Sequence, residues 1–320
     1  MILRERTDSE LLLGIDVGGT NLRAGLVDEK GAVIATEGVS LGTFQGEEAF
    51  AAQLADLARK VMEKAGASAG EIESVGIGIP GAVAEGKILY TCNIPMKNVP
   101  IEKLFRARLD LPVLLENDAN CAAVGEYFCG AGRGTRNFLA VTLGTGIGGG
   151  MILGGKLYTG MGSAGEIGHM VIRSGGRPCT CGRSGCWETY ASATGLIHRT
   201  AETIEHHPES LMAKSGICVD GHTAFDAALR KDAAALEVCR EYVSDLAAGL
   251  VNLINILQPD TIALGGGIAG APDPLLLWPL RKITEEQCYG SHTGKMTKII
   301  KAQMGNSAGM VGAALLKRAI

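Results

Sequence analysis

The sequence predicts an α/β protein of two related domains, each built on one copy of a duplicated mixed sheet, with a cleft between them. Three observations carry this. The stretch LLGIDVGGTNLRAGLVDEKGAVI, from Leu12, aligns as strand, glycine turn and strand with FLAVTLGTGIGGGMILGGKLYTG, from Phe138. A repeat of a whole supersecondary unit implies two related domains. Both copies connect their strands by tight turns with no room for a crossover helix, so each reads as an antiparallel meander. The 46 glycines among 320 residues cluster at the ends of the predicted strands, where backbone must approach something closely.

Taken in order, Leu11 to Val17, Leu22 to Val27 and Ala32 to Glu37 are predicted strands, with Gly18-Gly19-Thr20 and Asp28 to Gly31 as turns. Glu47 to Lys64 is an amphipathic helix, with Phe50, Leu54, Leu57 and Val61 on one face. Ile72 to Ile79 is a strand ending at Pro80-Gly81, a turn expected at a sheet edge. Residues 83–99 read as irregular. Ile101 to Leu109 is a short helix, and Val113 to Leu115 a strand whose end carries Glu116-Asn117-Asp118-Ala119-Asn120. A helix follows to about Phe128.

The second copy runs from Phe138 to Thr159. Thr189 to His198 is then expected as one helix, and residues 202–223 as a polar excursion in which His206 and His207 face solvent. Asp232 to Leu257 is a long helix whose Leu236, Val243, Leu246, Leu250, Leu253 and Leu257 suit deep packing. Thr261 to Leu264 is a strand closing on Gly265-Gly266-Gly267. A helix over residues 272–287 is interrupted by prolines, Lys298 to Ala302 is the last strand, and Ser307 to Lys317 the last helix. That helix is expected to return to the first domain. Residues 1–117 plus 304–320 then form a smaller domain, and 118–303 a larger one.

Composition narrows the function. With 46% apolar residues, 20% charged residues and net charge −4, the chain can bury large cores. The mild acidity does not favour nucleic acid as a partner. No uncharged apolar run reaches spanning length, so no membrane partner is expected. The first ten residues, MILRERTDSE, are charged and too short for a secretory apolar region. Nine cysteines in an enzyme-sized chain then point to a reducing, cytoplasmic setting.

The chemistry gathers at five places. His169, Cys179, Cys181 and Cys186 offer one imidazole and three thiols, a full tetrahedral set for structural Zn2+. Glu166 and Glu188 flank that set without being needed to complete it. They are free to accept hydrogen bonds from a polyhydroxylated ligand. Gly18, Gly19 and Thr20, and in the second copy Gly144, Thr145 and Gly146, are candidate phosphate turns, the amides around Gly18 to Thr20 offering either an anion-binding nest or an ordinary hairpin turn. Asp16, at the strand end beside the first turn, is placed to hold the water shell of Mg2+. Thr142 is its counterpart in the second copy. Gly265, Gly266 and Gly267 would let backbone approach an adenine or ribose, or else serve a tight strand–helix connection. Asn117, Asp118 and Asn120 lie at the carboxyl end of a strand, where α/β proteins bind ligands. Asp118 there is a helix cap or a general base.

These residues resemble the ROK family of repressors, open reading frames and sugar kinases, and the architecture looks like the ribonuclease-H-like/actin-like ATPases. The likeness covers most of the chain: D-x-G-G-T at Asp16, Pro80-Gly81, Asn117-Asp118, Gly144-Thr145-Gly146, the His/Cys segment and Gly265 to Gly267. It implies that Gly81, Asn93, Asn117, Asp118, Glu166, His169 and Glu188 surround a hexose, with Asp118 as base. His169 would serve both zinc and sugar. It also implies ATP as phosphoryl donor and a homodimer or homotetramer. Members commonly have an aromatic residue near the position of Met96.

The activity expected is ATP-dependent phosphorylation of a hexose, with glucose in first place. N-acetylmannosamine is the alternative substrate, and polyphosphate an alternative donor. A sugar-responsive repressor would resemble this chain with a helix-turn-helix domain in front, and ten residues before Leu11 are too few for one.

Overall fold

The computed structural model describes residues 11–91, 94–215 and 218–320. Among them, two five-stranded mixed sheets and one three-stranded sheet are flanked by helices. The chain divides into two compact units. The first takes in the described residues up to Gly134, with Gly150–Ala164 and Gln303–Ile320; the second is Thr135–Gly149 with Gly165–Ala302.

The first sheet contains β1 (Leu11–Val17), β2 (Asn21–Val27), β3 (Val33–Ser40), β4 (Ile72–Ile79) and, later in the chain, the strand Val113–Asn117. β1 pairs antiparallel with β2 and β2 with β3, so the expected meander forms. Helix α1 (Glu47–Ala65) lays Phe50, Leu54, Leu57 and Val61 against this sheet, and Gly66 ends it in the left-handed conformation at φ 62°. β4 pairs parallel with β1, so it is an interior strand rather than the edge expected from Pro80-Gly81.

Residues 83–99 also depart from expectation. β5 (Gly81–Ala84), β6 (Lys87–Thr91) and β7 (Lys97–Val99) form an antiparallel sheet. The turn between β5 and β6 uses Glu85 at φ 49° and Gly86 at φ 72°, the backbone of a tight hairpin. Met96 is buried in the core of this unit. After α2 (Ile101–Arg106) comes β8 (Val113–Asn117), parallel to β4, and then α3 (Asp118–Cys129).

The second sheet repeats the plan. It holds β9 (Phe138–Leu143), β10 (Ile147–Leu153), β11 (Lys156–Leu157), β12 (Thr261–Gly265) and β13 (Lys298–Lys301). Its order, β11-β10-β9-β12-β13, mirrors β3-β2-β1-β4-β8 strand for strand. β12 pairs parallel with β9 and with β13, as β4 does with β1 and β8. The duplication therefore extends through all five strands, beyond the meander visible in the sequence.

Helices α4 (Glu188–Ala191) and α5 (Ala193–His206) replace the single helix expected over Thr189 to His198. Ser192 is extended, and its hydroxyl accepts from the Gly195 amide, capping a new helix. After α6 (Thr223–Leu229), α7 (Ala233–Leu257) is capped by Asp232 and buries Val243, Leu246, Leu250 and Leu253. Leu236 is instead exposed. α8 begins at Leu277 and runs to Gln287, later than expected, with Pro279 in the first turn where its missing N–H costs least.

α9 (Ala308–Ala314) packs on the first sheet and on α3 through bare backbone. A Cβ on Gly14 would lie 1.9 Å from the Met310 carbonyl oxygen, and one on Gly76 1.7 Å from that of Ala313. These glycines permit helix-to-sheet contact closer than any side chain allows.

Candidate active site and metal centre

The candidate metal centre is built by one loop of the second unit. Around Cys179 to Cys186 the chain closes on itself: the Cys179 amide donates to Arg183 and the Gly182 amide to Cys179. Gly182 and Gly185 take positive φ, 87° and 84°, and a Cβ on Gly185 would lie 1.7 Å from the Arg173 carbonyl oxygen. One donor atom from each of His169, Cys179, Cys181 and Cys186 lies within 4.8 Å of the others. Cys179 Sγ is 3.6 Å from His169 Nδ1, and Cys181 Sγ is 3.6 Å from Cys186 Sγ. Tetrahedral zinc bonds imply edges of about 3.6 Å between S and N and about 3.8 Å between S and S. The four donors fit zinc in number, chemistry and spacing. Burial pushes the Cys179 thiol up to about 12, so a bound cation is what would make it a thiolate near neutrality.

Glu188 joins this centre to the neighbouring glycine turn. Its Oε1 accepts from Cys179 Sγ at 3.2 Å and lies 3.6 Å from His169 Nδ1. Its Oε2 accepts from the Ile147 amide at 3.4 Å, and a Cβ on Gly146 would come within 2.6 Å of that oxygen. On the other side of the ring, His169 Nε2 faces Glu166 Oε2 at 4.0 Å. Nδ1 thus points to the thiols and Nε2 toward an exposed carboxylate, so one imidazole can serve two ligands.

Features that the sequence did not disclose hold this loop in place. Trp187, between a candidate ligand and Glu188, is fully buried, and its indole N–H donates to the Asp245 carbonyl at 3.0 Å. Gly249, one turn along α7, makes the notch: a Cβ there would lie 2.1 Å from the indole ring. The Asp245 carboxylate accepts from Arg173 and Arg199, and the Tyr190 hydroxyl accepts from the Arg177 amide at 2.6 Å. A tryptophan between Cys186 and Glu188 was the one available signal.

The two glycine turns are alike in outline. Gly18 donates to the Asn21 carbonyl at 2.9 Å, and Gly144 to that of Gly146 at 3.1 Å. Gly18, Gly144 and Gly146 do not take positive φ, so their value is access rather than conformation. Thr20 and Thr145 are exposed. The second turn is tied to α5 by the Ala193 amide on Gly144 and by Thr194 Oγ1 on Thr145, each at 2.8 Å. Gly265, at the end of β12, is register partner to Thr142. Gly266 has φ +82°, and a Cβ there would lie 2.4 Å from the Leu143 carbonyl oxygen, while Gly267 is open.

Asp16 is paired in register with Arg23 on β2 and Gly78 on β4. Burial raises its pKa, and the Arg23 guanidinium opposes that shift. Gly309, in the first turn of α9, approaches so closely that a Cβ would lie 3.0 Å from the carboxylate.

Asp118 is the first residue of α3, and its neighbour Asn117 is the cap. Asn117 Oδ1 accepts from the amides of Ala119 and Asn120 at 2.9 and 3.3 Å, while its Nδ2 donates to the Gly81 carbonyl at 3.1 Å. The helix therefore has its capping oxygen without Asp118, whose own Oδ1 accepts from the Ala119 amide at 3.0 Å. Gly81 admits no side chain, since a Cβ would lie 2.2 Å from the Tyr90 carbonyl oxygen. Asn93 lies outside the described residues.

Among the described residues no helix is long and apolar enough to cross a membrane. The profile described as ROK family matches residues 12–320. A glucokinase of Streptomyces coelicolor is 38% identical over 96% of this chain and 98% of its own length. The structure of a ROK family glucokinase from Streptomyces griseus, in complex with glucose and AMPPNP, is 35% identical with a TM-score of 0.78, covering 96% of this chain and 98% of that one. A ROK hexokinase from Thermus thermophilus is 30% identical with a TM-score of 0.83, covering 96% and 97%.

Proposed function

The chain belongs to the ROK family, and from that premise we propose how its residues carry out the reaction. The protein is an ATP-dependent hexose kinase, and glucose is the substrate its relatives support best. The observation that carries the site assignment is Asp118: a carboxylate opening α3 at the end of β8, beside a cap that Asn117 already supplies.

In the reaction a sugar hydroxyl attacks the γ-phosphorus of ATP. Its O–P bond forms as the bond to the ADP oxygen breaks, and Asp118 takes the hydroxyl proton. Such transfer needs positioning and charge stabilisation rather than a covalent enzyme intermediate. Gly81, Asn93 and Asn117, with Glu166, His169 and Glu188, bind and orient the hexose. Amides of Gly18 to Thr20 and Gly144 to Gly146 meet the phosphates, and Gly265 to Gly267 leave room for the nucleoside. Asp16 would hold Mg2+ through its water shell, and the ion would offset charge on the phosphate oxygens when bound. His169, Cys179, Cys181 and Cys186 would hold zinc as a closed structural site.

The fold proposed is ribonuclease-H-like/actin-like, with residues 1–117 and 304–320 as one functional domain and 118–303 as the other. A cytoplasmic homodimer or homotetramer completes the reading.

The test couples ADP release to an optical signal with Mg2+, ATP and a panel of glucose, mannose, fructose, N-acetylglucosamine and N-acetylmannosamine. Glucose should give the highest kcat/KM. No ADP above background with any hexose would overturn the assignment, and a preference for N-acetylmannosamine would move the substrate class.

A further inference from the structure

The junction that presents Asp118 is held from behind by a buried polar pair, and we propose that Glu116 and Asn120 are positioning residues for the base. The inference rests on reading Asp118 as that base.

Glu116, the fourth residue of β8, is 8% exposed, and Asn120, in the first turn of α3, is 4% exposed. Glu116 Oε1 accepts from the Asn117 amide at 2.8 Å and from Asn120 Nδ2 at 2.9 Å. One carboxylate oxygen therefore clamps the residue before Asp118 and the residue two after it. Asn117 adds its own bonds to the amides of Ala119 and Asn120. The backbone on both sides of Asp118 is thereby fixed by hydrogen bonds from within the same turn.

Packing closes the remaining freedom. A Cβ on Gly150 would lie 2.9 Å from the Ala119 carbonyl oxygen and 3.1 Å from the Asn120 Cα. A Cβ on Gly78 would lie 3.7 Å from the Asp118 Cα. Strand β10 thus brings bare backbone close against the first turn of α3, and β4 lies at ordinary contact distance from Asp118.

The pair is a poor choice for stability alone. Asn120 turns its NH2 toward Glu116 Oε1. Asn120 Oδ1 is then a buried acceptor without a protein partner. A buried unpartnered acceptor costs stability, and an apolar pair of similar shape would avoid that cost. What the polar pair supplies is one defined geometry at the residue that must meet the reacting hydroxyl, where a displacement of about 1 Å can cost about 10²-fold in rate.

The experiment compares Glu116→Ala, Glu116→Gln, Asn120→Ala and Asp118→Asn in the full-length protein, with Tm and zinc content measured beside steady-state kinetics. Gln keeps an oxygen able to accept both bonds, so Glu116→Gln should stay within about threefold of wild type while Glu116→Ala loses about 10- to 100-fold in kcat. The fall should appear in kcat more than in hexose KM. Asn120→Ala keeps the bond to Asn117 and should lose about tenfold, which preserves the test where Glu116→Ala does not fold. Unchanged kcat in folded Glu116→Ala or Asn120→Ala, with Asp118→Asn inactive, would overturn the positioning role and leave the base intact. Equal losses in Glu116→Gln and Glu116→Ala would also overturn it, by assigning the effect to charge. Full activity in Asp118→Asn would instead remove the base assignment, and this inference with it.

Discussion

The two five-stranded sheets share one strand order, yet they differ in what stands at the ends of equivalent strands. At the end of β1 is Asp16, in register with Gly78; at the end of β9 is Thr142, in register with Gly265. β8 ends in Glu116 and Asn117 and hands over to Asp118, whereas β13 hands over through Ala302. Asp16 and Glu116 of the first sheet thus stand where the second has Thr142 and Ala302, while the glycines Gly78 and Gly265 are common to both. In the second, the carboxylate arrives from outside the repeat, as Glu188 reaching from the metal loop to the Gly146 turn. On the function proposed above, a duplicated backbone sets where ligands would be met, and the side chains at its strand ends would decide which copy does proton and metal chemistry.

Three substitutions probe that division, starting with the largest effect. Cys181→Ser should abolish stoichiometric zinc, lower Tm by more than about 5 °C and remove most activity, because a structural metal contributes folding free energy directly. Glu188 would lose the loop that aims it. Elemental analysis and a thermal melt read the outcome, and full zinc occupancy in the variant would break the four-donor assignment.

Asp16→Asn should lower kcat/KM about 10²-fold, as expected for loss of charge stabilisation at the phosphates. Stability should move the other way. Because burial raises the Asp16 pKa, the folded state binds its proton more tightly than the unfolded state does. Its ionisation therefore costs stability once pH rises through the window above 3.8, and Asn removes that cost at neutral pH. The variant should melt no lower than wild type at pH 7. For the wild type, activity should fall as pH drops through the raised pKa. A marked loss of Tm in the variant would contradict this account.

Thr142→Val, at the equivalent position of the second sheet, should change kcat by less than about threefold, since no proton-transfer or charged group is lost. An effect as large as that of Asp16→Asn would erase the asymmetry between the sheets.

Much of this was legible in the sequence because it is written locally. The glycine turns, the apolar face of α1, the cap and length of α7 and the His/Cys spacing each depend on residues close together in the chain. What was missed is either weakly marked locally or depends on distant partners. The Glu85-Gly86 hairpin hides in a short polar stretch, and Ser192 looks like any helix residue until its hydroxyl is seen to cap Gly195. That β4 and β12 extend the duplication follows from parallel pairing, which leaves no local signature. The burial of Glu116 has no local mark in the sequence, and the Trp187 notch at Gly249 joins residues 62 positions apart.

The central claim is that Asp118 removes the proton. Single-turnover phosphoryl transfer to glucose by Asp118→Asn tests it most directly, because it isolates chemistry from product release. Asn117 already caps α3, so the variant should fold, keep its zinc and bind glucose with little change. The account predicts that the transfer step slows by about 10²-fold or more. A transfer rate equal to that of the wild type, in folded and zinc-loaded protein, would contradict it.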